Sequence, residues 1–106
     1  SGPGGPSAVV SDRATRREHQ VAGDPQATFL WILGRRWQDD HARSEDDRGW
    51  CADASLCAAL GGDAARWRSL LCALRRQLEG AGLDGGCLER REGASRIRLG
   101  SVALGG

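Results

Sequence analysis

The sequence predicts an α+β domain, mainly helical with a small β-sheet, in which three helices are followed by a carboxy-terminal β-hairpin. Three observations predict it: apolar residues recur at helical spacing in three stretches, aspartate and glycine punctuate the boundaries, and a period-two pattern brackets a glycine turn near the end. A chain of 106 residues, 40% of them apolar, has room for one modest core.

Residues 1–23 open with Gly2-Pro3-Gly4-Gly5-Pro6 and continue through the polar run 11–20, with Ala8-Val9-Val10 as the only apolar cluster. So little apolar surface does not offset the entropy of ordering, so 1–23 is expected to be a flexible tail or linker and the domain proper to span 24–104. Within that tail, Ser7–Asp12 is the one place for a short strand. The glycines at the other end, Gly105 and Gly106, read as a flexible end.

Asp24-Pro25 suits a helix start, aspartate capping free N–H groups and proline being pre-organised at the first helical position. Phe29, Leu30, Leu33 and Trp37 then form an apolar stripe, which predicts a helix over 27–42 closed by the acidic segment 44–47. Gly49-Trp50-Cys51 is suited to one short strand. Asp53 is the next expected cap, for a short helix bearing Leu56, Cys57 and Leu60 and stopped by Gly61-Gly62. Asp63 caps a third helix, 64–80, with Trp67, Leu70, Leu71, Leu74 and Leu78 on one side. Segments 87–91 and 95–99 alternate around Glu92-Gly93-Ala94, which predicts a hairpin with an arginine-rich charged face. Trp31, Trp37, Trp50 and Trp67 are expected as core anchors.

All fifteen basic residues are arginine, and the formal net charge is +1. The balance is uneven. Acid concentrates between Asp39 and Asp63, and arginine dominates from Arg66 to Arg98. A basic half on a neutral chain attracts phosphate locally, without the net charge that drives promiscuous nucleic-acid binding. Cys51, Cys57, Cys72 and Cys87 stand at long intervals, with no C-x-x-C pair and no histidine at zinc-finger spacing, so neither a metal nor another cofactor is expected. Free thiols and the lack of a long apolar run suit a cytoplasmic protein without a membrane partner. A phosphate-binding glycine loop, a nucleophile elbow and a calcium-loop spacing are all missing, so no enzyme activity and no small-molecule ligand are expected. His19 and His41 read as surface residues.

Two helices joined through Gly61-Gly62-Asp63 suit a helix-turn-helix. The whole order, helix, short strand, helix, glycine turn, helix, hairpin, resembles a winged helix-turn-helix domain. The resemblance is to the OmpR/PhoB-type carboxy-terminal domain of bacterial transcriptional regulators. It is carried by the span from Arg66 to Asp84, in which Leu74-Arg75-Arg76-Gln77-Leu78-Glu79 matches that family's L-R-R-x-L-E element, and more loosely by the span from Leu88 to Leu99, with Ala94-Ser95 in place of the second glycine region and Ile97 where an aromatic is usual. The family's amino-terminal sheet has no evident counterpart in the tail, and its loop between the second and third helices is shortened.

The resemblance implies that helix 64–80 enters the major groove of double-stranded DNA and that the hairpin acts as a wing. On a helical wheel Arg68, Ser69, Cys72, Arg75 and Arg76 fall opposite or beside the apolar stripe, with Arg66 at the helix start. Guanidinium groups there could fork onto guanine or clamp phosphate, while a serine hydroxyl could donate to phosphate. Arg90, Arg91, Arg96 and Arg98 would belong to the wing. The alternative is a winged-helix adaptor module that binds a protein through the acidic region 39–53 and does not bind DNA.

Overall fold

A computed structural model describes residues 5–105; Ser1 to Gly4 of the expected tail, and Gly106, lie outside the described residues. In chain order the elements are β1 (Ser7–Asp12), β2 (Arg17–Ala22), α1 (Gln26–Asp39), β3 (Cys51–Ala52), α2 (Asp53–Leu60), α3 (Ala64–Gly80), β4 (Leu88–Arg91), β5 (Ala94–Ile97) and β6 (Val102–Gly105). Single 3-10 turns occupy Glu45–Asp47 and Gly85–Cys87. The three helices thus accompany two three-stranded antiparallel sheets, ordered β2-β1-β6 and β3-β5-β4.

Ser7–Asp12 is the short strand expected there, but residues 7–22 as a whole differ from the flexible tail expected of them. They form a hairpin registered from Ser7 opposite Ala22 to Asp12 opposite Arg17, and β6 pairs along the other edge of β1. The reason is tertiary. Ala8, Val10 and Asp12 point inward in strict alternation, and Ala8, Val10, Val21 and Val102 join the common core. Leu104 of β6 lies so close to α1 that a Cβ on Gly34 would stand 2.8 Å from it, so glycine sets the approach of helix and sheet. Partners that lie at opposite ends of the chain leave no local pattern.

One core joins all the layers. Phe29, Leu30 and Leu33 of α1 meet Trp67, Leu71, Leu74 and Leu78 of α3, Leu56 of α2, and Leu88 and Ile97 of the second sheet. Phe29 and Trp67 stack with ring centroids 6.0 Å apart. Trp67 and Trp37 are the core anchors expected of them, whereas Trp50 is half-buried and Trp31 is 39% exposed, its indole N–H donating to the Ser7 carbonyl. Among the described residues no helix is long and apolar enough to cross a membrane.

Local chemistry agrees with the sequence reading at some boundaries and departs from it at others. The Asp63 carboxylate accepts from the Arg66 N–H at 2.9 Å, the cap expected for α3. Asp53 does not cap α2: Ala52 occupies the cap position, and the Asp53 carboxylate is taken by Arg90. In β5 the expected alternation of core and charged positions fails, because all four residues are buried, Arg96 included.

Candidate nucleic-acid interface

The Asp63 cap and the buried row Trp67, Leu71, Leu74 and Leu78 fix the rotation of α3 about its axis. At about 100° per residue, Ser69, Cys72 and Arg76 then face away from the core, with Arg68 on the flank. All four are exposed. Neither Arg68 nor Arg76 has a carboxylate partner within ion-pair distance among the described residues. The hydrogen bonds from Arg90 hold the Asp53 carboxyl below its ordinary range, helped by the charge of Arg90 and, least, by that of Arg68. Arg66, at the first turn of α3, lies over the Trp67 ring at 5.1 Å and is exposed on its outer side. This face is rich in donors, guanidinium groups and a hydroxyl, and its chemistry suits phosphate oxygens and the acceptor atoms of guanine.

Arg75 belongs elsewhere. Its Nε donates to the Gly85 carbonyl at 3.3 Å and a terminal nitrogen donates to the Leu88 carbonyl, so it is a strut between α3 and the start of β4. It is half-buried, not on the solvent face that the helical wheel assigns to it. The wheel resolves angle around one helix but not what lies beside it.

The four hairpin arginines divide in the same way. Arg90 forks onto Asp53 at 2.9 and 2.7 Å and also donates to Ser95 Oγ at 3.0 Å, which locks β4 to the start of α2. The pairing raises the Arg90 pKa as it lowers that of Asp53. Arg96 is only 5% exposed: it pairs with Glu89 at 2.6 Å and donates to the carbonyls of Glu45 and Arg48 at 2.7 and 3.0 Å. Its guanidinium stands 4.3 Å from the Trp50 ring and 5.9 Å from Trp37. Arg98 pairs with Glu45 and, at 3.7 Å, with Glu89. Arg91 is exposed and has no carboxylate partner within ion-pair distance among the described residues, its guanidinium laid over Trp50 at 4.3 Å beside the hairpin turn.

The ten expected contact residues therefore separate into an exposed set free of carboxylate partners among the described residues, Arg66, Arg68, Ser69, Cys72, Arg76 and Arg91, a set engaged inside the fold, Arg75, Arg90 and Arg96, and Arg98, which is ion-paired at the surface. The acidic region 39–53 is partly consumed too. Asp40 accepts from the Gly49 N–H at 3.0 Å between Arg36 and Arg43, Asp53 is held by Arg90 and Glu45 by Arg98, while Asp46 and Asp47 remain exposed.

Sequence reading missed Asp12. Its carboxylate is buried and accepts from the N–H groups of Asp84 and Ala14 at 2.9 Å and of Thr15 at 3.2 Å, and these bonds, the one from Asp84 foremost, hold its pKa below the ordinary value. The alternation of Ala8, Val10 and Asp12 is the signal that could have placed it on the inward face.

All four cysteines are free. Burial pushes the Cys51 thiol up to about 11 and the Cys87 thiol to about 12, so both are poor nucleophiles at neutral pH. No cluster of three or more potential metal ligands occurs among the described residues. A groove of about 400 Å³ runs between α1 and α2, bordered by Arg35, Asp39, Trp50 and Ser55, and no α3 residue lines it. Comparison with protein-family models, with curated proteins and with solved structures finds no match for this chain.

Proposed function

We propose that this chain is a winged helix-turn-helix domain that binds double-stranded DNA, of the kind found in bacterial transcriptional regulators of the cytoplasm. The observation that carries the reading is the solvent face of α3, where Arg68, Ser69, Cys72 and Arg76 stand free of carboxylate partners among the described residues. The sheet order supports it, since the short strand before α2 pairs with the hairpin that follows α3 and sets that hairpin beside the helix. In this reading α3 lies in the major groove, with Arg68 and Arg76 on phosphates or guanine edges and Arg91 reaching the backbone from the hairpin. Arg75, Arg90, Arg96 and Arg98 serve by holding helix and hairpin in one relative position.

Titration of random-sequence duplex DNA at low salt, followed by fluorescence anisotropy, tests this. Binding is expected to weaken at least tenfold in the paired variant Arg68→Ala/Arg76→Ala, with a shallower dependence on salt. No binding by the unaltered chain, or no effect of the pair, would overturn the proposal.

The second reading is a protein-interaction module on the same scaffold, favoured by the exposed Asp46 and Asp47 and by the exposure of Trp31. It expects a protein partner whose binding survives high salt and is lost with Asp46→Ala/Asp47→Ala or Trp31→Ala.

A further inference from the structure

The turn between β1 and β2 carries Arg13 and Arg16, and β2 opens on Arg17, all three exposed and without a carboxylate within ion-pair distance among the described residues. Its mounting is rigid. Asp12 binds the turn's own N–H groups and the Asp84 N–H beyond α3, and the Arg13 N–H donates to the Ser101 carbonyl at 2.9 Å. The turn is set against the far end of α3: the stem of Arg17 crosses Gly82 so closely that a Cβ there would lie 2.7 Å from it. On the same face of β2, His19 stands 3.4 Å from Gln77 of α3. Glu18 alternates to the other face of the strand, and Asp84 turns its carboxylate to the Gly86 N–H.

Exposed cations thus stand along α3 at Arg68 and Arg76 and beyond its end at Arg17, with the exposed Glu79 on the flank that Arg68 occupies. From Arg68 to Gly80, the last residue of α3, the helical rise gives a span of roughly 18 Å, wider than the major groove at about 12 Å. Cations at the two ends of such a line reach phosphates on both edges of a groove that holds the helix between them.

We infer that the β1–β2 turn is a second phosphate-binding element, in which Arg13 and Arg17 clamp the backbone of double-stranded DNA beyond the carboxy-terminal end of α3. The inference rests on the DNA-binding reading above. A purely structural role for Arg17 also exists, since α3 has no basic residue in its last turn and a guanidinium there offsets the helix dipole. The experiment separates the two.

Duplex binding is measured by anisotropy between about 50 and 200 mM salt for the unaltered chain, Arg13→Gln/Arg17→Gln, Arg13→Lys/Arg17→Lys and Arg68→Ala/Arg76→Ala, with thermal melts of each. The glutamine pair is expected to bind about tenfold more weakly at the lowest salt and to flatten the log–log salt slope by about 1.8, the value for two phosphates lost. The lysine pair keeps the charge and is expected to retain both. Unchanged affinity and slope in the glutamine pair, with binding lost in the α3 pair, would overturn the clamp and leave the DNA-binding reading standing. A lowered melting temperature with unchanged slope assigns Arg17 to the helix dipole and overturns the clamp as well. If the unaltered chain binds no duplex, both proposals fall.

Discussion

Arginine is the only strong base in this chain, and single arginines do opposite work in it. Arg96 is spent wholly on the interior, between two indole rings, a carboxylate and two carbonyl groups, whereas Arg76 touches none of these. The Arg90–Asp53 pair is the clearest case of a charge that cannot be removed alone. With side chains 19% and 12% exposed, loss of one partner leaves the other desolvated and unpaired. Asp53→Asn is expected to cost about 3 kcal/mol, read by urea unfolding at neutral pH. The sign of the pH dependence follows from the same carboxyl. Arg90 and the Asp84 N–H depress the Asp53 and Asp12 pKa values respectively, so their contribution is complete above the ordinary carboxylate range and is lost as pH falls through the depressed values. Unfolding midpoints measured from about pH 6 to pH 2 should fall steeply below about pH 4, and less steeply in Asp53→Asn.

Between elements, the relation that matters is that of α3 to the hairpin, because it decides which side chains share a surface. Arg75 and the Gly85–Cys87 turn make that joint. A Cβ on Gly85 would stand 2.8 Å from the Arg75 carbonyl oxygen and 2.6 Å from the Glu79 side chain, so Gly85→Ala must push the turn away from α3. The expected loss is about 2 kcal/mol of stability in chemical unfolding, with faster amide hydrogen exchange in β4 than in α1. Equal acceleration throughout would show that the joint is not a local one.

At the scale of the molecule, one continuous core serves both sheets and all three helices, and Trp67 stands at its centre, fully buried against Phe29. Trp67→Ala is expected to cost about 4 kcal/mol and to unfold β1–β2 and β4–β5 together, seen as coincident transitions by circular dichroism and by the fluorescence of the remaining indoles. Separate transitions would divide the core into two. Exposed Trp31 and half-buried Trp50 supply the second signal.

The three helices, the short strand before α2, the Asp63 cap and the carboxy-terminal hairpin were legible in the sequence, because capping, apolar spacing and turn chemistry act within a few residues of one another. For the candidate site, the exposed positions Arg68, Ser69, Cys72 and Arg76 followed from the apolar stripe of their own helix. The strand Ser7–Asp12 was legible as well, but tertiary structure alone decided that Arg17–Ala22 pairs with it, that β6 completes the sheet, and that Asp12 ties its turn to the loop beyond α3. It also decided the fates of Arg75, Arg90 and Arg96, for a guanidinium is costly to bury without acceptors, and the Leu88 carbonyl, the Asp53 carboxylate and the Glu45 and Arg48 carbonyls that receive them lie far from them along the chain. Local sequence sets which way a residue leaves its own element; only the packed molecule sets whether solvent or a partner awaits it there.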